Sequence, residues 1–251
     1  MTTLTLAYRN TPLHAAVAAA VARVLEAYEI EPDYIAGSDE ALAAMLANGE
    51  IDLFATVWHP AEDSIFVSPA VEPIGNLYRP TFGFFVADRP DSPLAGLQSM
   101  ADLAGSDAAR HLLTPESLVP RVRQMVAGYR LTEAGFTIES QPDDEAYASI
   151  AAAIEAGEPV IAPLFTPNYL IHRVPLRPLA DPQGAAGKEL TARLLFNKAT
   201  REQTDTDMLD ELDELTLGNK VVSALDDAIR NEGMTADDAA EAWQRGKLLP
   251  R

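Results

Sequence analysis

Apolar runs at residues 4–8, 31–35 and 51–57 alternate with helix-patterned segments at 12–28 and 38–46. Short apolar runs separated by amphipathic stretches of helical length dictate a β-α-β-α-β unit. A helix between two strands carries the chain back to the same end of the sheet. The strands are therefore parallel, with right-handed crossovers. Ser38-Asp39 is the start signal of the second helix, and Asn48-Gly49 is its stop. Residues 71–78 and 81–87 read as extended, and Arg89-Pro90-Asp91-Ser92-Pro93 is a turn cluster. Residues 98–103 read as a short helix.

A second series then begins, with strands at 111–113, 136–140 and 159–164 and helices at 116–129 and 143–156. The second half has the plan of the first without repeating its sequence. Residues 189–196 read as a further strand, and 205–217, 220–232 and 235–246 as an acidic helical tail. The expected fold is α/β with two lobes, residues 1–88 plus 190–251 and residues 89–189, and a ligand cleft between them.

Four strand ends share one grammar: an apolar run, a polar or aromatic residue, a proline, then helical pattern. They are Asn10-Thr11-Pro12, Trp58-His59-Pro60, Thr114-Pro115-Glu116 and Phe165-Thr166-Pro167. Thr or Asn before Pro is ordinary helix punctuation, since Pro at the first helical position loses no hydrogen bond. At the end of a strand the same arrangement offers free N–H groups and partial positive charge. In open α/β sheets ligands bind outside the carboxyl ends of the strands. Thr114 and Asn10 read first as caps and second as ligand contacts.

The net charge of −19, from 38 acidic and 19 basic residues, argues against nucleic acid or an anionic membrane surface as partner. There is no cysteine, hence no disulfide and no thiol nucleophile. The histidines at 14, 59, 111 and 172 have no metal-ligand spacing. Gly-x-Ser-x-Gly, phosphate-loop and dinucleotide motifs are missing, which argues against an enzyme on this architecture. No metal or cofactor is expected.

The segments Gly49-Glu50-Ile51-Asp52 through Trp58-His59-Pro60, Phe165-Thr166-Pro167-Asn168-Tyr169 and Leu176-Arg177-Pro178-Leu179-Ala180-Asp181-Pro182 carry a family likeness. They resemble the glycine betaine/choline-type substrate-binding proteins of ABC importers, as does Ala239-Ala240-Glu241-Ala242-Trp243 in the tail. The resemblance implies a type II periplasmic-binding-protein fold, no catalysis, and an aromatic cage for a quaternary ammonium head. It implies a small zwitterionic or cationic solute and permease subunits as partners, and a periplasmic or other extracytoplasmic location. No leader is visible ahead of the first strand, so a cytoplasmic ligand-sensing module on the same fold is the alternative.

On that resemblance, Trp58 is the ligand-facing ring. Phe165 stands where the family has a second Trp, Asn168 where it has His, and Pro115-Glu116-Ser117 where it has Pro-Gly. Phe165 and Tyr169 sit about one helical turn apart, with ligand contact and core packing both open. Tyr8 ends the first strand, where core, surface and ligand contact all fit. Arg9 reads as a surface salt bridge or a partner for a ligand carboxylate. His59 is a hydrogen-bond donor to ligand or a solvated residue. A reduced cage beside Glu116 implies a preference for a cation such as choline over glycine betaine.

Overall fold

The computed structural model describes residues 3–60 and 63–250. In chain order the first elements are β1 (Thr5–Arg9), α1 (Pro12–Ala27), β2 (Asp33–Gly37), α2 (Asp39–Asn48), β3 (Leu53–His59), β4 (Val71–Tyr78) and β5 (Thr81–Ala87). Then come β6 (His111–Pro115), α3 (Val119–Gly128), β7 (Thr137–Gln141), α4 (Asp143–Glu155), β8 (Ala162–Thr166), α5 (Tyr169–Arg173) and β9 (Leu176–Pro178). The last are β10 (Thr191–Asn197), α6 (Lys198–Arg201), α7 (Thr206–Glu214), α8 (Asn219–Asn231) and α9 (Ala236–Gln244). The chain forms two compact units, one of residues 1–80, 167–169 and 189–251 and the other of residues 81–166 and 170–188.

The first unit is built on a sheet of order β2-β1-β3-β10-β4. β1 pairs parallel with β2 and β3, as the opening β-α-β-α-β pattern dictates. β10 runs antiparallel between β3 and β4. Side chains alternate at the start of β3, with Leu53 and Ala55 in one buried cluster and Phe54 in the other; past the register shift against β10 the alternation breaks, and Val57 joins the Phe54 cluster. Such a strand, buried on both faces, reads as a continuous apolar run.

α1 fills the space on the Leu53 face. Thr11 caps it, accepting from the His14 N–H, and Pro12 opens its first turn. Its alanines at 16, 18, 19, 20 and 22 are all buried, so the helix packs all round, against β1 and β3 and against α7, α8 and α9. α2 starts at Ser38, whose side chain accepts from the Ala41 N–H, and stops at Gly49 with φ +75°, as the sequence dictates.

The second unit departs from the expected plan. β6 and β7 pair parallel with each other, but β8 pairs antiparallel with β5, which also pairs antiparallel with β9. The unit holds a three-stranded and a two-stranded sheet instead of a copy of the first sheet. β5 therefore lies with residues 81–166, so the boundary between the units falls before β5 and not after residue 88. Its alternate residues Phe82, Phe84 and Val86 anchor the core with Leu112, Val122 and Met125.

Three of the four strand-to-helix junctions also differ from expectation. Thr166 ends β8 and Thr114 lies inside β6, so neither caps a helix. The Thr114 hydroxyl, fully buried, donates to the Leu112 carbonyl at 2.8 Å. After Trp58-His59-Pro60 the next helical turn is the 3-10 segment Ser64–Phe66. Pro is tolerated at the ends of strands as well as at helix starts, so the dipeptide alone does not choose. At the fourth junction the cap is Thr11, and Asn10 is an exposed bend residue whose N–H donates to the Gly37 carbonyl.

Candidate functional site

The carboxyl ends of β1 and β3 bring Tyr8, Arg9, Trp58 and His59 to one end of the first sheet. Trp58 is half-buried and packs against the α1-side cluster, while His59 is exposed at the strand end. The indole N–H of Trp58 donates to the Tyr78 hydroxyl at 3.1 Å. That hydroxyl lies 3.0 Å from Thr56 Oγ1, and both Thr56 and Tyr78 are buried. Burial pushes the Tyr78 phenol up to about 12, so it stays protonated. Trp58 and Tyr78 meet because both pair with Ala192, from opposite sides of β10.

His14, on the first turn of α1, stacks on Trp58 with ring centroids 6.3 Å apart and planes at 28°. Burial and then the charge of Arg9 push the His14 imidazole down to about 3. It is neutral at pH 7. Arg9 Nη1 lies 3.4 Å from His14 Nε2 and can only donate, so the imidazole proton sits on Nδ1, 2.8 Å from Thr11 Oγ1.

Arg9 is neither a surface salt bridge nor a bare cation. Its side chain is 12% exposed and pairs with Asp39 at 2.8 Å and with Asp63. It also donates to the Thr56 carbonyl at 3.1 Å and lies 4.9 Å over the Phe66 ring. Burial opposes its charge, but the carboxylates of Asp39 and Asp63 outweigh burial and hold its pKa above the ordinary value. Asp63 accepts the Trp58 backbone N–H as well. One carboxylate thus fixes both the strand-end arginine and the main chain of the tryptophan. Arg9, Asp39 and Asp63 carry a formal excess of one negative charge, and Asp63 ties the cluster to the Trp58 main chain. Tyr8 packs edge-to-face on Tyr34 at 6.1 Å, which makes it a core-margin residue.

Residues 167–169 belong to the first unit too. The buried Asn168 donates its N–H to Ser223 Oγ at 3.1 Å, and the Tyr169 N–H donates to Asp226 at 3.1 Å. Arg230 pairs with Asp226 at 2.8 Å and places its guanidinium 5.3 Å from the Tyr169 ring centre. Burial pushes the Asp226 carboxyl up despite that partner. Phe165 lies in the other unit, half-buried against Phe82 at 5.3 Å with the Arg121 guanidinium 5.5 Å over its ring. The expected shared helical face of Phe165 and Tyr169 does not exist, because Phe165 lies in β8 and Tyr169 opens α5. Glu116 is exposed just after β6.

Sequence reasoning passed over Thr56, Tyr78, His14 and Asp63. None carries a local signal: Tyr78 meets Trp58 and Thr56 through strand register, Asp63 reaches Arg9 from the segment after β3, and His14 stacks on Trp58 from the first turn of α1.

The histidine gives a pH-dependence. A neutral His14 in the folded chain, against an ordinary value of 6.5 unfolded, means that the unfolded state binds the extra proton between pH 6.5 and about 3. Its contribution is fully present above pH 6.5 and is lost at up to about 1.4 kcal/mol per pH unit as pH falls toward 3. From pH 6.5 to 4.5 the native protein therefore loses about 2 kcal/mol more than His14→Gln, read from urea unfolding of both proteins at both pH values. Equal losses in the two proteins would contradict a buried neutral imidazole.

The matching sequence family is the substrate binding domain of ABC-type glycine betaine transport systems, over residues 2–245. No curated protein matches the chain by sequence. Among solved structures, lactococcal OpuAC in its closed form with glycine betaine is similar with a TM-score of 0.76 at 18% identity, covering 98% of this chain and 96% of that one. An ABC-transporter choline binding protein in complex with choline gives a TM-score of 0.68 at 18% identity, covering 96% and 88%. The glycine betaine/L-proline-binding protein ProX of Borrelia burgdorferi gives 0.67 at 18% identity, covering 100% and 97%. These likenesses establish the type II periplasmic-binding-protein fold. With the family match spanning nearly the whole chain, the chain belongs to the substrate-binding domains of ABC-type glycine betaine transport systems.

Proposed function

We propose that this chain captures a quaternary ammonium solute of the glycine betaine and choline class and hands it to the permease subunits of an ABC importer, outside the cytoplasmic membrane. Its family is one of binding proteins and not of enzymes. The observation that carries the ligand class is the ring of Trp58 near the end of β3, held at its indole N–H by Tyr78, with a net-negative ion cluster bound to its main chain through Asp63. A methylated ammonium donates no hydrogen bond, so the negative face of an indole is its natural partner. His14 beside the ring is neutral and adds no opposing charge.

The guanidinium of Arg9 already serves Asp39 and Asp63, so its charge is compensated and not directed to a ligand carboxylate. This favours a cationic head over a zwitterion at the first unit and supports choline binding at least as tight as that of glycine betaine. A thermal-shift titration tests the class. A ligand at about a hundred times its Kd adds about 2.7 kcal/mol, which for a chain of this size raises Tm by roughly 5–10 °C. Unchanged melting with millimolar glycine betaine and with millimolar choline would overturn the reading.

A further inference from the structure

We propose that Tyr78 is a positioning residue for the ligand: its hydroxyl, held by Thr56, fixes the indole of Trp58 in the orientation that receives the ammonium head. The inference rests on the functional reading above and adds to it a residue on a different strand from Trp58.

The geometry is local to the first unit. The Trp58 N–H reaches the Tyr78 oxygen at 3.1 Å, and that oxygen meets Thr56 Oγ1 at 3.0 Å. Tyr78 is 2% exposed and Thr56 is fully buried, so neither can swing away to water. The cross-strand register through Ala192 holds the two aromatic residues level with each other. Asp63 holds the Trp58 main chain, and His14 lies against its ring. The hydrogen bond at the indole edge restrains rotation about the side-chain bonds. A ring held before the ligand arrives costs less ordering on binding, which is how a group that never touches ligand raises affinity.

Core tyrosines also serve stability alone, and a mutant cycle separates the two roles. Tyr78→Phe removes one oxygen. The indole then has to be ordered when ligand arrives, which predicts about threefold to tenfold weaker binding of choline and glycine betaine. In a Trp58→Phe background, whose ring has no N–H to hold, Tyr78→Phe adds no more than about twofold on the same scale. The tryptophans number two, so Trp243→Phe leaves Trp58 as the sole indole emitter. In that protein without ligand, Tyr78→Phe shifts the emission to longer wavelength as the released N–H hydrates.

Equal affinity of Tyr78→Phe and native protein overturns the inference while the functional reading stands. So does an equal loss in the Trp58→Phe background, which marks a purely structural tyrosine. If Trp58→Phe binds too weakly to titrate, the ligand-free emission decides, and unchanged emission overturns the inference. A native protein that binds neither probe overturns the functional reading, and the inference with it.

Discussion

Trp58→Ala weakens binding of choline and glycine betaine by roughly 30-fold or more. A desolvated cation–π contact with Trp is worth about 2 kcal/mol, and each 1.4 kcal/mol is about tenfold. The ring is half-buried and packs on Tyr78 and His14, so its loss also lowers stability, by about 1–3 kcal/mol. Trp58→Leu separates these effects. It restores apolar volume without the ring quadrupole, so melting recovers while affinity does not. Calorimetric titration of both variants checks this. Affinity that returns with Leu would show that Trp58 packs the site and does not hold a cation.

Arg9→Leu lowers stability by about 3–5 kcal/mol. Its side chain is 12% exposed and that of Asp63 is 11% exposed. Deleting the cation leaves a carboxylate out of water without its partner, and the charge costs more than the pair was worth. Asp39 is 44% exposed, so Asp39→Asn costs only up to about 1 kcal/mol. Urea unfolding of the three proteins tests the contrast. A loss below about 1 kcal/mol for Arg9→Leu would mean that the cluster is solvated. Asp63 also holds the Trp58 main chain, so the Arg9 variant binds ligand more weakly even when folded.

Where local chemistry decides, the sequence was readable. Ser38 and Gly49 bracket α2 because one offers an oxygen to a free N–H and the other tolerates positive φ. The same holds for Thr235, which accepts from the Asp238 N–H at the start of α9. Thr114 and Thr166 misled because a Thr-Pro pair fits the last residues of a strand as well as the first turn of a helix. The partnership of Trp58 with Tyr78 depends on which strand is inserted between β3 and β4. That strand, β10, lies more than a hundred residues further along the chain, and no periodicity in residues 51–87 specifies it. Arg9 read as a surface residue for the same reason, since its carboxylates come from α2 and from the loop after β3. Trp58 lies inside the family likeness because the strand before it and the proline after it are contiguous in sequence, and its contact with ligand is the part that the titrations test.

Isothermal calorimetry of choline and glycine betaine, titrated side by side into native protein and Trp58→Ala, decides whether Trp58 holds a quaternary ammonium head. The expected result is saturable one-site binding to the native protein, with choline at least as tight as glycine betaine, and loss of both signals in the variant. Native protein that binds neither ligand, or a folded Trp58→Ala that binds as tightly as native, would contradict it.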